Sequence, residues 1–548
     1  VYWKFRVKQD FTSYVDEYKK DEDTGRESFM LGDVCGFRVA GISRVQIASP
    51  TSTMTGDPDH SPQTIFAASV QVPRHGNRLQ RRVLTDEQLH NVEVWKKLGP
   101  VFSAPKFLRM INILERGADI GSREAVNFVG LAWRDGKPVV NEGPDCFFSD
   151  PRQQCPYHAL IFPSGQVGDA AQVIAGYQDT FRHNEALLLL VWALGAHLKA
   201  YLGYWPHFIC QAEKGSGKTT LIKRLERTVG MTMFSGQSLN TEFRILTSIS
   251  YTTQPVGWEE LSARKQELIN KAVSNLQEAY QYSHTRRGAE LIDFLLCAPV
   301  LLAGEDVPVQ SLTGKVVRND LTKAKRGPKL TDELPRFPMR QWLRYLAETP
   351  KARILELHAE CVAALGTSCV APEDDAGAER MLQNYAALRL AWVLLCDFAQ
   401  MDLNQGAFLR DLTATMNGHV KETAADRQPW VWIVEKVLSE IARGTFRYPF
   451  AFDKTENDEP YLAIRTSHVM DHLRSEQSLR EFWDGLPVKS DRVFKKALLA
   501  ANVLAVEDVE KTCHGKRVAH MVGLSLSALQ QYGLYAVQPV HLGGDDAA

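Results

Sequence analysis

A chain of 548 residues, 44% hydrophobic and 24% charged, is too long for a single core and too ordinary in composition for a fibre or a disordered tail; at about 100–200 residues per domain it should fold as three or four modules. Its formal net charge of -1 excludes a uniformly basic surface, so any grip on nucleic acid must come from local clusters such as Arg74–Arg82, Lys315–Lys329 and Lys511–Arg517. The nine scattered cysteines lack the close spacing of a disulfide framework and point to reduced thiols in a cytoplasmic setting.

The sequence starts at Val1, so a targeting peptide or an upstream primase domain would lie outside it. Residues 1–130 mix β-rich runs, Gly36–Ile47 and Thr64–Val72, with a turn-rich stretch, Ser49–Pro62, and a helical stretch near Glu87–Lys97. That pattern predicts a small mixed α+β domain. In residues 131–204, Phe128–Trp133 and Pro138–Val140 flank Asp135-Gly136, the residue pair of a tight hairpin turn. Cys155–Pro163 reads as extended. Cys146, Cys155 and His158 are zinc-type ligands, but three at irregular spacing leave a tetrahedral site incomplete, and no zinc is expected there. A long helix, Asn184–Tyr201, follows. Its most apolar window, Leu187–Leu202, is short for a bilayer span and contains His197 and Lys199, which predicts a buried helix and no membrane segment.

Residues 205–330 alternate apolar strands with helices: Phe208–Gln211, Thr219–Val229, Thr241–Ser248, Gln254–Trp258, Lys265–Tyr280 and Pro299–Ala303. Such alternation predicts a three-layer α/β domain with its ligand site at the carboxyl ends of the strands. The eight residues Ala212–Thr219, between the first strand and the first helix, match a phosphate-binding P-loop except that Ala212 stands where the pattern has its first glycine. Gly215, Ser216 and Gly217 supply backbone amides for phosphate oxygens, Lys218 a point charge, and Thr219 a magnesium-ligating hydroxyl, with Thr220 opening the helix. ATP and Mg2+ are the implied cofactors.

A triphosphatase also needs carboxylates, one to hold magnesium and one to orient the attacking water, about one strand from the loop. Glu259 and Glu260 follow the short strand Gln254–Trp258 and fit, with Glu259 standing where aspartate is more usual; the alternative is a pair of acids favoured at a helix N-terminus. Glu305, at the end of the next strand, would sense the γ-phosphate or serve structurally. Arg318 is the candidate arginine finger reaching a neighbouring subunit, against an ordinary salt-bridged arginine. Arg286 and Arg287, between the two carboxylate strands, are candidates for DNA backbone contacts on a loop or hairpin, against a solvated loop. Lys323–Lys329 reads as a linker or exposed loop.

Residues 331–425 are helical in pattern, notably Met339–Met416, around an acidic loop, Pro372–Gly377. In residues 426–548, a helix Pro429–Ala442, a loop Asp453–Pro460, helices Ser467–Leu473 and Asp491–Ala500, and runs Val503–Val509 and Val518–Leu524 around a basic tip suggest a winged-helix-like domain. There Arg492, Lys495 and Lys496 would face a DNA groove, and Lys516 and Arg517 would meet phosphates. Glu507, Asp508 and Glu510 weaken the field beside the tip, so the same domain could instead bind protein.

Taken together, Phe128–Trp133 and its hairpin, Gly215–Thr220, Trp258-Glu259-Glu260, Ala303-Gly304-Glu305 and Gly314–Arg318 resemble the DUF927-type helicase or primase-helicase ATPases of phages and integrated mobile elements, relatives of the AAA+ and superfamily 3-like ring helicases. The resemblance covers roughly residues 30–330. It implies a homo-oligomeric ring, with a hexamer as its expected form, that uses ATP to move along single-stranded or forked DNA during replication of a mobile element. Two other classes stay open from sequence: an ATP-switched DNA-binding initiator or helicase-loading platform, and an ATPase acting on another protein.

Overall fold

The computed structural model describes residues 3–536 except 59–61, 119–122, 144–145, 149–153, 260–265, 288–291, 304–309, 329, 331–332, 371–375, 424–427, 487, 514–515, 531 and 533. The chain divides into two compact units: Val1–Pro308 with Lys315–Thr367 and Asn384–Leu412, and Val309–Gly314 with Ser368–Gln383 and Thr413–Ala548. Two helices, Ala376–Ala399 and Phe408–Glu422, contribute residues to both.

The first unit opens with an antiparallel sheet of β1 (Trp3–Val7), β2 (Ser13–Lys20) and β3 (Glu27–Cys35), followed by β4 (Arg38–Ile47), β5 (Gln63–Gln71), β6 (Gln80–Leu84) and β7 (Arg123–Ala125) in the order β6-β5-β4-β7. Phe37, Trp95 and Phe107 form its aromatic core, with ring centroids 5.4–6.2 Å apart. The turn-rich expectation for Ser49–Pro62 misses a helix, Pro50–Thr55, which Ser49 caps by accepting the Ser52 N–H at 3.3 Å and which Pro50 opens. A serine cap followed by proline is a helix start, and here it outweighed the Gly/Pro composition. The stretch Glu87–Lys97 becomes two short helices, Asp86–Leu89 and Val92–Lys96, each with its own cap, Thr85 and Asn91.

The expected hairpin forms from β8 (Gly130–Arg134) and β9 (Lys137–Asn141), turning at Asp135-Gly136. It is tied inward: the Leu131 N–H donates to Thr253 Oγ1 at 3.0 Å and Trp133 Nε1 to the Ala200 carbonyl at 2.7 Å. Cys155–Pro163 forms turns and not a strand. Among the described residues Cys146, Cys155 and His158 form no metal-binding group; Cys146 Sγ lies against the Phe128 and Glu142 carbonyls. Asn184–Tyr201 is not one helix. It runs as Glu185–Gly195, a 3-10 turn Ala196–Leu198, and Lys199–Leu202, breaking beside Gly195, the weakest helix former in the run. Arg182–Leu202 is long and apolar enough to cross a membrane, yet 94% of its most apolar window is buried against protein, so it is a core element here.

Next come β10 (His207–Ala212), β11 (Thr232–Phe234), β12 (Val256–Glu259), the antiparallel hairpin β13 (Ser283–Arg287) and β14 (Ile292–Leu296), β15 (Val300–Ala303) and β16 (Val316–Leu321). Five of these make an all-parallel sheet in the order β11-β12-β15-β10-β16. Its central strands are buried along nearly their whole length, as parallel strands covered by helices must be. The wholly buried Glu185–Gly195 helix and the Lys218–Val229 helix pack together, and Trp192 anchors the first by donating to the Pro206 carbonyl at 2.7 Å and meeting the Phe208 ring at 5.4 Å. The mixed α/β class and the parallel core match the expectation.

The second unit gathers Trp430, Val434, Leu462, Phe494, Leu498 and Leu524, with other apolar residues, into a separate core. Its sheet is β17 (Ala451–Lys454), β18 (Pro460–Ile464), β19 (Leu504–Cys513) and β20 (Lys516–Ser525) in the order β17-β18-β20-β19. The loop expected at Asp453–Pro460 is therefore mostly hairpin, with Thr455–Glu459 as its turn; the charges of Asp453 and Lys454 masked an edge strand, where charged side chains are common.

Candidate functional site

The buried run His207–Cys210 makes β10 a central strand, and the chain leaves it into the Glu213–Gly217 turn. Gly215 and Gly217 have φ of +80° and +107°, a region open to glycine and strained for other residues, and the Ser216 N–H closes the turn on the Glu213 carbonyl at 3.0 Å. The helix Lys218–Val229 begins immediately afterwards and buries Leu221, Ile222, Leu225 and Val229. Ala212, where the loop pattern has glycine, is the last residue of β10 and pairs with Leu321, so the departure falls in the sheet and not in the turn. Lys218 is half-buried and Thr219 and Thr220 are exposed at the start of the helix. Ser216 is fully buried, and its hydroxyl has no hydrogen-bond partner among the described residues. The donor set is one an anion would complete: free amide positions at a helix start, a lysine and hydroxyls.

Glu259 ends β12 in register with Ala303 of β15, which in turn pairs with Cys210 of β10. One strand therefore stands between Glu259 and the loop strand; at about 4.8 Å per strand the two rows are about 10 Å apart. Glu226, on the helix that begins with Lys218, accepts the Met233 N–H at 3.2 Å. Burial raises its pKa and the charge of Glu259 adds to the rise, which places the two carboxylates in each other's field. Sequence reading missed Glu226, because an acid within an amphipathic helix carries no motif. Burial also pushes the Cys210 thiol up to about 12, against the pull of the Lys218 charge. Glu260 and Glu305 lie outside the described residues.

Arg318 sits within β16, opposite Ile209 and half-buried, in the row below the one shared by Cys210 and Asn319. It is part of the sheet and not of a terminal loop. Arg286 and Arg287 lie on β13; Arg286 is exposed and its Nε meets Asp293 Oδ1 at 2.7 Å, beside His284 at 3.1 Å from the same oxygen. The Arg287 and Lys516 side chains lie outside the described residues. In the second unit Arg492 and Lys496 are exposed and Lys495 half-buried on the Asp491–Ala500 helix, whose Phe494 and Leu498 face the core. On the β19–β20 hairpin, Arg517 is held by Glu510 and Lys511 by Asp453, which neutralises much of the basic tip.

The segment after β16 differs most from expectation. Thr322–Pro328 is only partly exposed and is not a linker: it folds back over the phosphate loop. The Lys323 N–H donates to Glu213 Oε2 at 2.9 Å, Arg326 makes a β-bridge to Phe181, and the Gly327 N–H donates to the Thr180 carbonyl at 2.7 Å. A Cβ at Gly327 would lie 2.0 Å from the Asp179 carbonyl oxygen, so only glycine permits this approach. Lys325 Nζ pairs with the buried Glu185 at 2.7 Å and with Asp320 at 3.2 Å. Because these contacts are mostly backbone pairings, composition gave no signal of them.

No family model matches this chain, and no curated protein matches it. A solved structure of an active helicase, SCCmec type IV Cch, is similar over 97% of this chain and 99% of its own, with a TM-score of 0.61 at 12% sequence identity. At that identity the likeness is one of fold, and it extends over both units of the chain.

Proposed function

We propose that the protein is an ATP-dependent DNA helicase that works as a ring of identical subunits, of the DUF927-type group that its motifs resemble. The observation that carries this reading is the placement of a phosphate loop after β10 and of an acid at the end of β12 in one parallel sheet, within a chain that shares its fold with a helicase along nearly its whole length. Lys218 and the loop amides would hold the phosphates, and Thr219 with Glu259 would hold Mg2+, which neutralises charge on the transferred phosphoryl group when bound. Glu260 is assigned to orienting the attacking water, Glu305 to sensing the γ-phosphate, and Arg318 to completing a neighbour's site. Arg286 and Arg287 on the β13–β14 hairpin are assigned to the DNA backbone.

As part of the same proposal the chain is read as domains 1–130, 131–204, 205–330, 331–425 and a winged-helix-like 426–548. For the winged-helix-like domain, the pairing of Arg517 with Glu510 and of Lys511 with Asp453 favours protein over DNA as the partner. Should DNA be the partner instead, Arg492, Lys495 and Lys496 on the Asp491–Ala500 helix are the residues that would meet it. Removing those three should weaken DNA binding if the helix enters a groove, and leave it unchanged if this unit docks on protein. Strand displacement on forked DNA, with Lys218→Ala as control, tests the main reading; intact ATP hydrolysis without unwinding on a fork of either polarity would refute it.

A further inference from the structure

Beside the phosphate loop lies a cavity of about 170 Å³, walled by Phe181 and Leu221, by Ser216 and Gly217 of the loop, and by Arg326 and Pro328 of the folded-back segment. Three features fit it to a ligand. It shares Ser216 and Gly217 with the site assigned to the phosphates, so a group joined to those phosphates through a sugar has this cavity as its immediate neighbour. Its walls combine a flat aromatic ring and aliphatic side chains with a guanidinium, the pairing that accommodates a planar, hydrogen-bonding heterocycle. The Ser216 hydroxyl is buried in its wall without a partner among the described residues. The segment also reaches the phosphate side: a Cβ at Gly215 would come within 3.5 Å of Lys323 Cε and 4.0 Å of its Nζ.

Resting on the nucleotide-site reading above, we infer that Thr322–Pro328 is the second wall of that site, with the base seated between Phe181, Arg326 and Pro328 and Lys323 acting as a further phosphate-facing cation beside Lys218. One strap thus touches both ends of the nucleotide. It is held by Glu213 of the loop and Glu185 of the core helix. Binding energy from the base would then tighten the wall that carries Lys323.

Calorimetric titration of the full chain with Mg–ATP and, separately, with inorganic tripolyphosphate tests this. The wild type should bind ATP about tenfold or more tighter than tripolyphosphate. Arg326→Ala should cost about tenfold for ATP and leave tripolyphosphate unchanged, whereas Lys323→Ala should weaken both. Both side chains are exposed, and a circular-dichroism melt checks that each variant folds. Equal affinity of the wild type for the two ligands, or an Arg326→Ala effect that is the same for both, overturns the base subsite. Unchanged tripolyphosphate binding by Lys323→Ala overturns the role of that lysine. Lys218→Ala separates the two readings: if it weakens neither ligand, the loop is not the nucleotide site and both fall, whereas loss of both with Arg326→Ala silent defeats only the subsite.

Discussion

Lys325 Nζ stands 2.7 Å from Glu185 Oε1, so an acid only 5% exposed, at the first turn of a core helix, holds a surface strap in place. The other Glu185 oxygen accepts the Asp320 N–H at 3.0 Å, and Asp320 itself meets Lys325. Burial raises the Glu185 pKa while its hydrogen bonds to Lys325 and Asp320 oppose the rise, so the pairing offsets part of what burial costs.

Glu185→Ala should therefore lower stability by about 1–3 kcal/mol, because it leaves the Asp320 N–H without its acceptor and removes the shorter of the two carboxylate pairings of the Lys325 ammonium. Urea denaturation reads the loss. Limited trypsin digestion should show earlier cleavage at Lys323, Lys325 and Arg326 than in the wild type, and an unchanged digestion pattern would mean that the strap is held by its backbone pairings alone.

A second prediction concerns pH. Lys199 is fully buried, donating to the Ala279 carbonyl and, at 2.6 Å, to that of Cys297. Burial lowers its pKa from the ordinary 10.5 to about 7. Between those values the unfolded chain binds this proton and the folded chain has lost it, so the contribution of Lys199 to stability rises with pH across that window. Lys199→Met should remove that slope, by at most about 1.4 kcal/mol per pH unit, as measured by denaturant titrations spanning the window. Identical slopes for the two proteins would contradict it.

Sequence alone carried the reading far wherever side-chain pattern and backbone geometry coincide. Gly215 and Gly217 reveal the turn because their φ values suit glycine; Leu221, Ile222, Leu225 and Val229 reveal the helix because burial follows its period. Strand order was not legible, since nothing in Val256–Glu259 or Val300–Ala303 says that β15 inserts between β12 and β10. The strap was misread for a similar reason. Lys, Arg, Gly and Pro suggest solvent, whereas Gly327 is there to let two backbones meet, and its partner lies more than a hundred residues away in sequence, at Thr180.

The carboxylates give a third prediction. Glu260→Gln should lower ATP turnover by a factor on the order of 10² to 10⁴ while ATP binding persists, the pattern of a lost proton acceptor. Glu259→Gln should instead raise the Mg2+ concentration needed for half-maximal turnover. Steady-state hydrolysis across a magnesium series distinguishes them, and two variants that lose ATP affinity alike would contradict the division of roles.

For the β13–β14 hairpin, Arg286→Ala should reduce by about one the slope of log affinity for single-stranded DNA against log salt, if Arg286 exchanges Asp293 for a phosphate. Fluorescence anisotropy over a salt series measures the slope. An unchanged slope would leave Arg286 as the partner of Asp293 only.

The central claim is that the loop ending at Lys218 powers movement along DNA. Its most direct test is strand displacement on a forked duplex, followed together with phosphate release, for the wild type and Lys218→Ala. The account predicts ATP-dependent unwinding by the wild type and loss of both unwinding and phosphate release in the variant. Phosphate release by the wild type with no unwinding on a fork of either polarity, or unwinding that survives Lys218→Ala, would contradict it.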